Sequence, residues 1–204
     1  MYKNIIFDLG GVMVDFDPKT YLVDRFCNAE VEEQVYQLTF ESEEWKLLDA
    51  GLITRSAANL RMLARAKEYG RAFEVQGVLD DWMHILRPCR LMQDLVRKLK
   101  SRGDFVYYLS NIPEDVLDFL TERDLKGLFD GGVASCEVHS NKPDPRIYKA
   151  LLDKYQLKAG ESVFIDDRLE NVQAAFRLGF AGIQMKDSVG TLVRSLATCS
   201  VAIH

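Results

Sequence analysis

The chain has 204 residues, 48% hydrophobic and 28% charged, with a formal net charge of -5. That length accommodates one good-sized core, or a core carrying a smaller inserted unit. No apolar stretch is long enough to span a bilayer and the basic residues form no block, so neither a membrane nor a nucleic acid is expected as partner.

The N-terminus runs directly into the apolar segment Ile5-Ile6-Phe7 with no leader-like segment ahead of it, so a cytoplasmic location is expected. This segment reads as a buried strand, closed by Asp8-Leu9-Gly10-Gly11 in a tight turn. From Asp15 to about Arg87 apolar residues recur three and four apart, as in Val31, Val35 and Leu38, which is helical spacing. Breaks at Pro18, Gly51 and Gly70 divide this stretch into several helices, and Thr54 is a suitable N-cap for Arg55 to Tyr69. After Pro88 the pattern becomes helix (Leu91 to Lys100), strand (Phe105 to Leu109), helix (Pro113 to Arg123) and a short strand (Gly132 to Ser135). It continues with a helix (Pro145 to Tyr155), a strand ending at Asp166, a helix to Leu178 and a strand at Ala181 to Gln184. Repeated strand-helix units imply a doubly wound α/β fold with a parallel sheet. The expected domains are a core of residues 1–14 and 86–204 with a helical cap, residues 15–85, inserted after the first strand.

Two strand tips carry acids: Asp8, and the pair Asp166-Asp167 after Ser162-Val163-Phe164-Ile165. Adjacent acids at the end of a buried strand are costly unless a cation or hydrogen bonds offset their charge. If the two tips meet, the cluster suits Mg²⁺, a hard cation that takes carboxylate and phosphate oxygens together. The cysteines Cys27, Cys89, Cys136 and Cys199 form no zinc-like spacing and read as reduced thiols. Of the histidines, His84 lies in a helical stretch, His204 at the terminus, and His139 close to Asn141-Lys142-Pro143. Phe16, Tyr21, Phe40, Trp45 and Trp82 are either core or the lining of a pocket beneath the cap.

Four motifs in order resemble the haloacid dehalogenase (HAD) superfamily, in particular its capped phosphatases. They are Phe7-Asp8-Leu9-Gly10-Gly11-Val12, Leu109-Ser110-Asn111, Asn141-Lys142-Pro143-Asp144-Pro145, and Phe164-Ile165-Asp166-Asp167 through Asn171 and Gly179. The resemblance implies a Rossmann-like core and Mg²⁺-dependent hydrolysis of a small phosphorylated metabolite through an aspartyl-phosphate on Asp8. It implies metal binding by Asp8, the Gly10 carbonyl and Asp167, with Asp166 as a further ligand or outer partner and Asn171 nearby. It implies phosphate binding by Ser110, the Asn111 amide and Lys142.

One position departs from the pattern. Most phosphatases of the superfamily carry a second aspartate where this chain has Gly10, and that group protonates the leaving oxygen. General acid catalysis contributes about 10²–10⁴-fold, so substrates with good leaving groups are favoured. The chain is similar to a subgroup with Asp-Leu-Gly here that includes bacterial glucose-1-phosphate phosphatases, which implies a sugar phosphate such as a hexose 1-phosphate. A replacement acid could be Asp15, Asp17 or His139, or the proton could come from the substrate and its waters. Three alternatives stay open: a metal-independent 2-haloacid dehalogenase, against which Asp166-Asp167 argues, a phosphomutase, which normally relies on the acid that Gly10 replaces, and a phosphate-binding regulator without turnover. Oligomeric state is not legible.

Overall fold

The computed structural model describes residues 2–186 and 188–199. His204 lies outside the described residues. A parallel sheet of five strands has the order β5-β4-β1-β6-β7, formed by β1 (Asn4–Phe7), β4 (Phe105–Ser110), β5 (Gly131–Ala134), β6 (Ser162–Asp166) and β7 (Ala181–Gln184). Its central strand is apolar on both faces because both are covered: Ile5 and Phe7 join one buried cluster and Ile6 the other. One cluster takes in residues of α6 (Arg90–Ser101), α7 (Glu114–Glu122) and α11 (Val189–Thr198), the other residues of α9 (Pro145–Tyr155) and α10 (Leu169–Arg177). The fold is the α/β architecture expected from the strand-helix alternation.

The register brings three strand tips together. Phe7 lies opposite Tyr108 on β4 and Ile165 on β6, and the Asp8 amide donates to the Ile165 carbonyl at 2.9 Å. The chain leaves β1 toward β4 and leaves β6 toward β7, so these neighbouring strands part in opposite directions. Ligands of open α/β sheets bind in the crevice at such a switch point.

Between β2 (Val14–Asp15) and β3 (Arg87–Pro88) five helices are inserted: α1 (Pro18–Phe26), α2 (Ala29–Leu38), α3 (Glu43–Asp49), α4 (Arg55–Glu68) and α5 (Ala72–Asp81). Thr54 caps α4, its hydroxyl accepting from the Ala57 amide at 3.2 Å. β2 and β3 pair antiparallel as a two-residue ribbon at the base of the insertion. This ribbon was not expected from the sequence, since segments that short carry no periodicity. The one-turn helix α8 (Ser135–Val138) and α11 were likewise not foreseen. Leu22, Val35, Met62 and Val75 of the inserted helices belong to the same buried cluster as Ile5 and Phe7, so the insertion is packed onto the sheet.

Candidate active site

Asp8 follows β1 and is 7% exposed. Three donors converge on its Oδ1: the Leu9 amide at 2.7 Å, the Ser110 hydroxyl at 2.8 Å and the Lys142 ammonium at 2.8 Å. Its Oδ2 has no hydrogen-bond partner among the described residues. Burial drives the carboxyl up to about 7; Lys142 opposes that rise and Asp166 adds to it.

Lys142 is wedged between two carboxylates. Its Nζ donates to Asp8, to Asp166 Oδ2 at 2.7 Å and to the Leu109 carbonyl at 2.9 Å, which uses all three of its protons. Burial works against its charge, yet Asp8 and Asp166 hold the ammonium above its ordinary range. Asn111 fixes the lysine's backbone: its side-chain amide donates to the Lys142 carbonyl at 3.0 Å and its Oδ1 accepts from the Lys142 amide at 2.7 Å. The Asn111 side chain is thereby occupied, which leaves its backbone amide for the phosphate role that the resemblance implies.

The two acids at the end of β6 have different surroundings. Asp166 is fully buried and both its oxygens are engaged, by Lys142, by the Arg168 amide at 2.8 Å and by Asn171 Nδ2 at 3.0 and 3.1 Å. The Asp167 side chain has no hydrogen-bond partner among the described residues. Burial and the neighbouring Asp166 raise its carboxyl, and Lys142 eases that rise. It lies against Gly11, whose φ is +72° and whose missing Cβ would stand 2.7 Å from Asp167 Oδ2. Any side chain at residue 11 would therefore displace that carboxylate, which accounts for the second glycine of the motif.

Asp8, Asp166 and Asp167 each offer an oxygen within 4.8 Å of the others. The Gly10 carbonyl stays out of the turn's backbone bonds, which run from the Gly11 amide to Val14 and from Val12, Met13 and Val14 to Leu9. Unpartnered carboxylate oxygens on Asp8 and Asp167 beside a free carbonyl are the donor set a hard divalent cation takes, so these residues fit Mg²⁺. Asp166, already saturated, fits an outer role that orients Lys142 and Asn171.

A cavity of about 620 Å³ opens over these groups, lined by Asp8, Gly10, Ser110, Lys142 and Asp167 and walled by Phe16, Tyr36, Phe40 and Trp45 from the inserted segment. Tyr21 is elsewhere, bonded to Asp81 and Arg25. Trp82 packs edge-on to Trp45 with ring centroids 4.9 Å apart.

The substitute acids suggested by sequence are not in this cavity. Asp15 and Asp17 line a separate pocket beside Thr20 and Arg87. Hydrogen bonds from Thr20 hold Asp17 below the usual carboxylate range, so it stays ionised. The His139 ring nitrogen Nδ1 is 3.0 Å from the Ala50 carbonyl, where it ties the insertion to the core. The cavity does contain acids that sequence reading missed: Glu41, Glu170 and, at the end of α3, Asp49, and of these three Asp49 alone also lines the smaller pocket beside Gly10. One signal pointed to Asp49: an acid in a helix's last turn opposes the macrodipole, so it is there for another reason.

Residues 2–179 match the haloacid dehalogenase-like hydrolases. The chain belongs to this family. It is 32% identical over 201 residues to the sesquiterpene phosphatase astK of Aspergillus oryzae, covering 97% of this chain and 98% of that one. It is 25% identical over 198 residues to a D-ribitol-5-phosphate phosphatase of Bacteroides thetaiotaomicron, covering 90% and 92%. In fold it resembles a HAD-family enzyme of the same bacterium crystallised with magnesium and inorganic phosphate, with a TM-score of 0.73, 23% identity, and 94% and 99% coverage. No helix among the described residues is long and apolar enough to cross a membrane.

Proposed function

We propose that this HAD-family hydrolase is a Mg²⁺-dependent phosphatase for a small phosphorylated metabolite, with residues 1–14 and 86–204 as the catalytic core and 15–85 as its cap. The observation that carries this reading is the wedge of Lys142 between Asp8 and Asp166, with Asp167 free beside them. Asp8 is the nucleophile, and its oxygen displaces the alcohol from phosphorus to form an aspartyl-phosphate that water then hydrolyses. Lys142, the Ser110 hydroxyl and the Asn111 amide receive the phosphoryl oxygens and stabilise their charge in transfer. Bound Mg²⁺, held by Asp8, Asp167 and the Gly10 carbonyl, would offset repulsion between the nucleophile and the phosphate.

A sugar phosphate such as a hexose 1-phosphate fits the preference for good leaving groups that Gly10 implies. The aromatic wall of Phe16, Tyr36, Phe40 and Trp45 favours a second reading, an apolar-tailed phosphate monoester of the kind the astK relative's name describes. Phosphate release from a panel of both ester types, with and without Mg²⁺, tests the proposal, with Asp8→Asn as the comparison. Release that needs Mg²⁺ and disappears in Asp8→Asn is expected. Release that persists in Asp8→Asn, or chloride release from a 2-haloacid without metal, would refute it.

A further inference from the structure

Gly10 leaves the site without the acid that usually serves the leaving group. A Cβ built at this residue meets only Phe16 carbons, at 3.9 and 4.0 Å, so space exists where the side chain is missing. Asp49 borders that space. It lines the main cavity together with Asp8 and Lys142, and also the adjoining smaller pocket together with Gly10, Ser110 and Trp45.

The core holds this residue in place. The Ser135 hydroxyl donates to the Asp49 carbonyl, His139 Nδ1 bonds the Ala50 carbonyl at 3.0 Å, and Asn141 Nδ2 donates to the Lys46 carbonyl at 2.8 Å. The Asp49 and Ala50 carbonyls lie at the end of α3, where carbonyls lack helical partners, while the Lys46 carbonyl also accepts from the Ala50 amide at 3.1 Å. Gly51 follows at φ +63°, and its missing Cβ would stand 2.7 Å from the Cys136 carbonyl, so the backbones touch there. The rest of the machinery is thus in register with one cap carboxyl.

That carboxyl has no hydrogen-bond partner among the described residues, although it is half-buried. Charged groups face it from three directions: Arg55 on α4, Asp115 on α7 and Asp8 after β1. Arg55 is itself committed to Asp115 through bonds of 2.8 and 3.1 Å. Burial pushes the Asp49 carboxyl up to about 7, with Asp115 and Asp8 adding and Arg55 opposing. A general acid working near neutral pH needs a value in this range.

We infer that Asp49 is the proton donor to the leaving oxygen, supplying from the cap the function that Gly10 removed from the first motif. The inference rests on the phosphatase reading above. As the Asp8 oxygen bonds to phosphorus, the bond from phosphorus to the ester oxygen breaks. Its electron pair takes the Asp49 proton, and the alcohol departs. Asp49, now a carboxylate, accepts a proton from the water that attacks phosphorus. The bond from phosphorus to Asp8 breaks, phosphate leaves, and both groups return to their starting forms.

The test compares two esters in the presence of Mg²⁺: p-nitrophenyl phosphate, whose leaving group departs without a proton, and n-hexyl phosphate, whose leaving group requires one. In Asp49→Asn, the first-turnover rate of alcohol release from the hexyl ester should fall about 10²–10⁴-fold, while the first-turnover release of p-nitrophenol changes little. The fall in rate above neutral pH, where Asp49 loses its proton, should disappear for the hexyl ester in the variant. Asp49→Ala should give the same split, and Asp15→Asn should leave both esters unaffected. Equal first-turnover losses on both esters, a rise in KM alone, or an undiminished first-turnover rate on the hexyl ester would overturn the assignment while leaving the phosphatase reading intact. No phosphate release by the wild-type chain from either ester would overturn both.

Discussion

Replacing Lys142 by methionine preserves most of the side chain's volume and removes its charge. The ammonium makes contacts of 2.8, 2.7 and 2.9 Å with Asp8, Asp166 and the Leu109 carbonyl, and the side chain is 1% exposed. Removing one partner of a buried ion pair costs about 3–5 kcal/mol because the other charge is left uncompensated. Against a total stability of about 5–15 kcal/mol this is a large fraction. The loss should depend on pH. In the metal-free wild type, burial already holds Asp8 near 7, above its unfolded value. The stability linked to this proton is therefore complete below about pH 4 and is lost as pH rises through 7, at about 1.4 kcal/mol per pH unit per proton. Without Lys142 to oppose the effect of burial, Asp8 should bind its proton to still higher pH, so the variant's deficit is larger at pH 8 than at pH 5. Urea unfolding of metal-free protein at both values measures it. A deficit below about 1 kcal/mol at pH 8, far under the range for a broken buried pair, or one that is equal at the two pH values, would refute the reasoning.

Gly11→Ala places a Cβ 2.7 Å from Asp167 Oδ2 at a φ of +72°, so it should displace the one acid of the β6 pair that is free to bind metal. Calorimetric Mg²⁺ titration should show affinity weaker by about 10–100-fold, the range seen when the shell around a metal ligand is disturbed; unchanged affinity would remove Asp167 from the ligand set. Thr54→Ala deletes the hydroxyl that accepts from the Ala57 amide at the start of α4 and should cost about 1 kcal/mol. Thermal unfolding checks this, and a melting temperature identical to wild type would show that packing alone holds that helix end.

The strands and most helices were legible in the chain because each element carries its own local period. Pro145–Tyr155 and Ala181–Gln184 fall where their apolar spacing and flanking breaks place them. The same holds for the acids at the strand tips, since a carboxylate after a buried apolar run is hard to explain by local structure. The ribbon of Val14–Asp15 with Arg87–Pro88 was not legible, because two residues have no period and the pairing spans the whole insertion.

What the sequence determined, then, was a set of elements and the chemistry at their ends. That Asp8 and Asp166 share the Lys142 ammonium follows from strand order: β4 and β6 flank β1 although they are far apart in the chain. The missing acid shows the same division. Gly10 announces a gap from the sequence alone, but Asp15, Asp17 and His139, all near motifs in the chain, line other pockets. Asp49 borders the gap because the end of α3 is bonded to Ser135, His139 and Asn141 of the core. Periodicity is a property of neighbouring residues, whereas proximity across a cavity depends on how distant surfaces pack, and only the folded chain decides that.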